Sequence, residues 1–566
     1  MFTRARLTTC TALALSAGML LASPAVADAG SRPPRPVVAD PLREAGAPPR
    51  LDLSPLAGPA GTARTAEAAA VVPSRFDVDG DGQTDLLHRD WNGRTIIASS
   101  SGVTTELITD GSVLDLDLVP LGDQDGSGKP EVLSLSADGV LRLYSETTVT
   151  SASPTWSGKG WNMYNKVFSP GDVDGDGKND LLARQYNGEL YLYRWTGGAT
   201  EPFAGRVRVG AGWGVYDQLV GIGDNDGDGK GDAVARSTDG KLYFYGSTGD
   251  TAAPFKPRKE VGTGWQIYNQ LLSSDDINGD GNADLLARDQ SGALWGYSGR
   301  GDGTFATRLK LGGTWNNVDQ FAAAGNVPAA GKTAFLARAK SGYLFWYGSL
   351  NNGNITAREQ VGTSDNWGGA SISFVSALDG GPFADLLEIY QGHLYNADRD
   401  LGAGWQIYNL LVGPGDLSGD GKADLLARDA SGVMWLYRGN GLGTGVASRI
   451  KIGAGWGAYN RTLGAGDFSG DGRADLVVRD GSGNLWLYKG TGVATAPFAA
   501  RVKIGTGWGI YDKLVAPGDL NGDGKADLLA VNPAGDLYRY LGTGTGSAIT
   551  ARVKIGYGYQ IYNTLY

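Results

Sequence analysis

The chain has 566 residues, more than one domain usually holds, with 90 glycines, 15 tryptophans and 25 tyrosines. Glycine without a collagen period, spread among aromatic stretches, predicts an all-β repeat with many tight turns. A net charge of −10 argues against nucleic acid, which wants a basic face, and the one cysteine, Cys10, leaves no disulfide framework.

Residues 1–27 read as a signal peptide. Arg4 and Arg6 give a positive start, Thr11 to Ala22 is a short apolar run, and Ala25-Val26-Ala27 offers small residues for cleavage. The run is too short to span a bilayer, so a secreted, extracellular product with no transmembrane segment is expected. Residues 28–72 are rich in Ala, Pro, Gly and Arg and lack a sustained apolar period, which predicts a disordered leader. An exported chain without disulfides needs another staple.

The rest of the chain supplies one. Short loops of alternating acids recur roughly every 50 residues, the spacing of a repeat architecture. Seven are intact. Their positions 1, 3, 5 and 9 hold Asp77, Asp79, Asp81 and Asp85; Asp172, Asp174, Asp176 and Asp180; Asp224, Asp226, Asp228 and Asp232; Asp276, Asn278, Asp280 and Asp284; Asp416, Ser418, Asp420 and Asp424; Asp467, Ser469, Asp471 and Asp475; and Asp519, Asn521, Asp523 and Asp527. A weaker loop starts at Asp123, with Ser127 at position 5 and Glu131 at position 9, and two degenerate copies, expected to hold no metal, start at Asn326 and Ala377. Hard oxygens on a glycine turn suit Ca2+ at about seven to eight sites, since calcium takes six to eight such ligands at about 2.3–2.6 Å. Carboxylates this close repel one another without a cation. Position 12 is His88, Ala183, Ala235 or Ala287 rather than glutamate, so these are not EF-hands. By count, 27 of the 60 acidic residues lie in the eight plausible loops, so bound calcium would cancel the apparent acidity.

Around each loop the pattern repeats. Gly455-Trp456-Gly457-Ala458-Tyr459-Asn460 opens a strand, the loop Asp467 to Asp475 follows, then Leu476-Val477-Val478-Arg479, Leu485-Trp486-Leu487-Tyr488 and Arg501-Val502-Lys503-Ile504. Four short strands per repeat predict a β-propeller blade. Ten such four-stranded blades allow two tandem five-bladed rings or one large ring. Two rings are the expectation: a first β-propeller over 73–324 and a second over 325–566. The stretch Thr314 to Phe321 would close the first ring, Ala322 to Lys332 would link the two, and the surplus opener Gly558 to Asn563 would close the second.

The acidic loops resemble the FG-GAP/VCBS repeat family, the calcium-loop blades also seen in integrin α-chain propellers, over roughly residues 73–566. The Gly-Trp openers and Gly-x-Leu-Tyr hairpins resemble, more loosely, tachylectin-type five-bladed lectins. The resemblance implies a secreted or surface-displayed propeller, with glycan binding common in such families and propeller lectins also found as subunits of secreted toxin particles. The blades holding Asn326 and Ala377 depart from the pattern.

Sugar binding on a rigid β scaffold uses aromatic faces and fixed polar groups. The openers supply candidates: Trp213 with Tyr216; Trp265 with Tyr268 and Asn269; Trp405 with Tyr408 and Asn409; Trp456 with Tyr459 and Asn460; and Trp508 with Tyr511. Inter-blade packing is the competing use of the same rings. Arg184, Arg236, Arg288, Arg338, Arg428 and Arg479 recur inside apolar strands and must find acceptors. The resulting expectation is a calcium-stabilised, multivalent, lectin-like protein that recognises cell-surface or extracellular glycans. The alternatives are an integrin-like protein-binding propeller or the lectin subunit of a secreted toxin complex. An enzyme is not expected, and a polysaccharide lyase or hydrolase is the lesser alternative, since only His88 and His393 are present and no nucleophile or HExxH pattern appears.

Overall fold

The computed structural model describes residues 74–566 apart from 83, 91–93, 100–101, 108–114, 137–138, 149–152, 186, 199, 238, 290, 313–314, 316–317, 327, 329–333, 350–352, 363–366, 380–383, 398 and 522–523. The expected signal peptide and leader lie outside these residues, as does the candidate ligand Asp523.

The described chain is all β. It forms ten four-stranded antiparallel sheets, and its only helical pieces are single 3-10 turns. None of them is long and apolar enough to cross a membrane. The third blade shows the unit: Tyr164–Gly171, Asp180–Gln185, Leu190–Tyr193 and Val207–Gly210, hydrogen-bonded in sequence order. Alternation sets the faces. Leu190 and Leu192 are buried while Tyr191 and Tyr193 are half-buried, and the pattern repeats in Leu485–Tyr488. Apolar residues on both faces match sheets packed on both sides.

The opener differs from a strand. Gly160 has a φ of 90°, in the left-handed region that favours glycine, and it reverses the chain into a 3-10 turn, Trp161–Met163, before extension begins at Tyr164. The tryptophan's backbone is tied across to the previous repeat, as Trp213 N donates to Gly188 O at 3.0 Å. The strand that follows each opener is the innermost of its blade. Asp115–Gly122, Tyr164–Gly171, Tyr216–Gly223 and Tyr268–Ser273 each pack on the next one along.

Two long-range pairings organise the ten sheets. Val318–Phe321 pairs with Leu86–Asp90, His88 facing Phe321, and completes the first blade. Tyr562–Leu565 pairs with Ala334–Ala339 and completes the sixth blade. In one ring of ten the last strand would have met the first blade instead. The pairings therefore sort the sheets into two sets of five.

The axis of the first set is filled. Arg75 Nε donates to Asp275 Oδ1 at 2.7 Å, and the same guanidinium bonds the carbonyls of Ser169 and Gly221. Two inner strands and the turn after a third thus meet one side chain. The segment after Phe321 does the same with its backbone: Ala323 N bonds Leu118 O, Gly325 N bonds Leu271 O, and Leu219 N bonds Gly325 O. A Cβ on Gly325 would come within 2.4 Å of Val220 Cγ2, so the passage is too narrow for a side chain there. The stretch Ala322 to Lys332 differs from the linker expected of it. Its first part is a plug instead, and Gly325 and Asn326 belong with the first set rather than the second. The two sets touch where Asn269 Nδ2 donates to Asn521 O at 3.1 Å and Lys525 lies 3.9 Å from Asp217.

Candidate functional site

The acidic loops are built on their glycines. Gly175 N and Gly177 N donate to the two oxygens of Asp172 at 2.6 and 2.7 Å, and the same pair of bonds recurs at Asp77, Asp224, Asp276, Asp416 and Asp467. Asp519 keeps the bond from Gly524 at 2.7 Å. Position 9 is a clamp as well as a ligand candidate. One oxygen of Asp180 accepts from Val173 N and the other from Trp195 N, tying the loop to the end of the third strand. Asp232, Asp284, Asp424, Asp475 and Asp527 repeat this double contact.

In four loops, positions 1, 3 and 9 converge. Asp77, Asp79 and Asp85; Asp123, Asp125 and Glu131; Asp172, Asp174 and Asp180; and Asp224, Asp226 and Asp232 each bring carboxylate oxygens within 4.8 Å of one another and could hold a metal ion. The weak loop at Asp123 is thus among the best formed. Asp81, Asp176 and Asp228, at position 5, stand outside these clusters. Asp176 and Asp228 instead accept the backbone N–H two residues on, as do Asp280, Asp420 and Asp471. Asn278, Ser418, Ser469 and Asn521 replace the position-3 carboxylate in the remaining loops.

The electrostatics show a charge deficit. Burial, with the loop's other carboxylates adding to it, pushes Asp180, Asp424 and Asp475 up to about 7 and Asp232 and Asp284 up to about 8. Glu131 rises to about 7 for the same reasons. Cationic side chains answer part of this: Lys256 Nζ bridges Asp226 and Asp228 at 2.9 and 2.8 Å, and Arg194 approaches Asp174 at 3.4 Å. The copy at Ala377 retains the clamp, with Leu378 N donating to Asp385, whereas Asn326 has left the loop role and bonds Gln320.

The opener aromatics do not present open faces. Trp213, Trp265, Trp405, Trp456 and Trp508 are 5–8 % exposed, and Tyr216, Tyr268, Tyr408, Tyr459 and Tyr511 are 2–7 % exposed. Each Trp packs on a tyrosine of its own third strand, with centroids 4.7 Å apart for Trp213–Tyr245 and 4.4 Å for Trp508–Tyr540. Those tyrosine hydroxyls are paired, Tyr216 with Tyr245 at 2.6 Å and Tyr408 with Tyr437 at 2.6 Å. The expectation of broad sugar-stacking faces is corrected on this point: the rings fill the seam between a blade and its predecessor.

The asparagines are engaged too. Asn269, Asn409 and Asn460 accept from Arg288, Arg428 and Arg479 Nε at 2.9, 3.1 and 2.9 Å. Each arginine then reaches across the seam; Arg236 Nη1 bonds the carbonyls of Trp265 and Tyr268. The recurrent arginines are therefore blade-to-blade clamps. A second set went unnoticed in the sequence. Arg206, Arg308, Arg449 and Arg552 donate to the opener tyrosine hydroxyls at 2.7, 2.6, 2.8 and 3.0 Å, and Arg449 and Arg501 each lie 4.1 Å over a third-strand tryptophan. The recurring Arg-x-Lys-x-Gly of the fourth strand, as in Arg501 to Gly505, is the signal that could have revealed them.

What stays open is the rim of a seam. Trp456, Tyr459, Tyr488 and Phe498 edge a cavity of about 460 Å³, with Thr495 and the Gly453-Ala454-Gly455 backbone on its other sides. Equivalent Trp, Tyr and Phe side chains recur at Trp161, Tyr193 and Phe203 and at Trp213, Tyr245 and Phe255.

Comparison with known proteins bears on the repeats. The FG-GAP-like repeat model matches residues 123–183, 172–235, 416–478 and 467–530, and the FG-GAP repeat model matches 514–549. No curated protein matches the chain. Among solved structures it is similar to an Agrocybe aegerita lectin described as recognising non-reducing terminal N-acetylglucosamine, at 16% identity over 86% of this chain and 93% of that one, with a TM-score of 0.22. It is also similar to the Photorhabdus luminescens Tc holotoxin pore, at 12% identity over 85% of this chain and 26% of that one, with a TM-score of 0.26. A third similarity is to BBS1N in complex with ARL6DN, at 11% identity over 65% of this chain and 90% of that one, with a TM-score of 0.21. Likeness at this level fixes neither ligand nor partner.

Proposed function

Because this chain belongs to the FG-GAP repeat family, we propose that it is a secreted, calcium-stabilised, multivalent glycan-binding protein made of two five-bladed propellers. The seam cavity at Trp456 carries the reading. It has the size of a saccharide site, an aromatic edge and backbone polar groups, and its residue types recur around the molecule. Weak sites on one rigid body gain avidity on a dense glycan surface, by roughly 10²–10⁴ over a single site.

Calcium suits the loops because every side-chain donor is a hard oxygen, with no thiolate or imidazole among them. Asp77, Asp79 and Asp85, and their counterparts in the other loops, would hold the ion, which would supply the positive charge that the crowded carboxylates lack. Its role is structural. The loop's own residues order the turn and clamp the third strand, and no catalytic step is assigned to the protein.

The test is a glycan array probed with the calcium-loaded chain, alongside a Phe498→Ala and Thr495→Trp variant that reshapes and fills the seam cavity. Retention of the natural chain on a neutral glycan, reduced in the variant, supports the reading. Failure to bind any glycan in calcium, with capture of a secreted protein instead, would favour the integrin-like alternative.

A further inference from the structure

The same inner-strand position has opposite fates in the two sets of blades. In the first set it carries Asp117, Lys166, Gln218, Gln270 and Gln320, which face the axis and are satisfied by one another or by neighbouring backbone. Lys166 Nζ lies 2.7 Å from Asp117, Gln218 bonds Asn269 O and Leu271 N, and Gln270 bonds Gln320. All five are buried, and the plug through Ala323 and Gly325 closes what remains.

In the second set the equivalent places, read from the strand registers, hold Leu410, Arg461, Lys513 and Thr564. None of these places, nor Ser371 on the fifth inner strand, holds an acid. All five inner strands, Ser371–Val375, Tyr408–Gly415, Tyr459–Gly466, Lys513–Gly518 and Tyr562–Leu565, instead line one axial cavity of about 550 Å³. Its charged lining is Arg338, Arg428, Arg461 and Lys513, with no aspartate or glutamate.

The cations are only partly committed. Arg461 donates to the carbonyls of Asn460 and Asp512 at 2.8 and 2.7 Å, which leaves other guanidinium N–H groups available. Lys513 makes no hydrogen bond or ion pair among the described residues, and Thr462 Oγ1 is buried without a partner. The Tyr566 ring faces Arg338, 5.3 Å from its guanidinium carbon. Burial lowers the Lys513 pKa; Asp512 beside it raises it, and Lys340 and Arg461 lower it further. The flanking Asn409, Asn460 and Asn563 are exposed, whereas their counterpart Asn269 in the first set is covered. The mouth of the cavity is therefore open on the asparagine side.

We propose that this axial cavity of the second propeller binds an oxyanion-bearing ligand of saccharide size, such as an acidic sugar, with Arg461 and Lys513 as the anion-reading residues. Guanidinium and ammonium groups in a partly desolvated hollow favour carboxylate, sulfate or phosphate oxygens, and the volume suits two or three sugar rings. The site shares Tyr459 with the seam cavity at Trp456, but Arg461 and Lys513 line only the axial cavity.

The experiment is titration calorimetry of the full chain at saturating calcium with three probes: trigalacturonate, its methyl ester, and inorganic sulfate. Trigalacturonate is expected to bind and its ester to bind at least about tenfold more weakly, the loss of one charge-assisted hydrogen bond or more. The Arg461→Gln/Lys513→Gln double variant should lose this binding by about tenfold or more while its melting temperature stays unchanged. Sulfate binding that the double variant abolishes would place the recognition in a small oxyanion and still support the pocket. Equal binding of acid and ester, binding undiminished in the double variant (as a calcium bridge at the acidic loops would give), or no binding of either anion would overturn the proposal. Neutral-glycan binding at the seams would be unaffected in each case.

Discussion

Arg236 shows how a single side chain joins two blades. It makes a two-point contact with Asp217, Nε and Nη2 each at 2.9 Å, and its Nη1 bonds two carbonyls of the next opener. Replacing it with methionine leaves the Asp217 charge and both carbonyls unanswered. We expect Arg236→Met to cost about 3–5 kcal/mol, read as a drop in the urea midpoint of the first set of blades. Asp217→Asn should cost far less, because Asn269, Asn409 and Asn460 perform the same acceptor role at their own arginines. His88 gives a pH prediction. It is fully buried, neither ring nitrogen has a hydrogen-bond partner, and burial first and Arg288 second push its pKa down to about 3. The folded state therefore holds it neutral while the unfolded chain takes up a proton near pH 6.5. Its contribution is present above that pH and is lost as the pH falls towards 3, at about 1.4 kcal/mol per unit. Urea melts across this window should show a shallower pH dependence for His88→Leu than for the natural chain. An identical slope would refute the assignment.

At the scale of the element, the acidic loop is both turn and staple. Backbone N–H groups fix its first aspartate and its ninth residue reaches the third strand, so the loop is formed before any ion is considered. In the proposed calcium form the ion would offset the burial, and the smaller repulsion from neighbouring carboxylates, that raise Asp180, Asp232 and Asp284. Chelation is expected to lower the melting temperature, with re-addition of calcium restoring it. Asp174→Ala should remove one bound calcium per chain by elemental analysis, and its stability deficit should shrink in chelator, where the natural chain has lost the same ion. A deficit of equal size with and without calcium would show that Asp174 acts only as a turn residue.

At the scale of the molecule, two short strands decide how the sheets are grouped. Tyr562–Leu565 supplies the fourth strand of the sixth blade, and Tyr562 also hydrogen-bonds Tyr347 through its hydroxyl at 2.5 Å. Truncation after Gly558 should open the second set of five while leaving the first, which is completed by Val318–Phe321, with its own melting transition. Calorimetry that shows loss of both transitions would mean that the sets fold as one unit. The first axis is plugged and the second is hollow, so the two halves, alike in blade construction, differ in what their centres admit.

Repeat length, strand order and the acidic loops were legible in the sequence because each depends on residues within about 50 positions of one another. A glycine turn, an alternating strand and a cluster of acids are local facts. The grouping into fives was only half legible. The surplus opener at the end and the missing one at the start suggested closure, but the partner of Tyr562–Leu565 is set by a contact more than 200 residues away. The use of the aromatics could not be read at all from spacing. Trp456 and Tyr459 suit a sugar face or a blade seam equally well by composition, and only the proximity of Tyr488 and Phe498 commits most of their area to packing. The same holds for the axis. Gln270 and Lys513 look like ordinary polar strand residues, and whether such a position closes a network or lines a cavity depends on which four others the ring brings to face it.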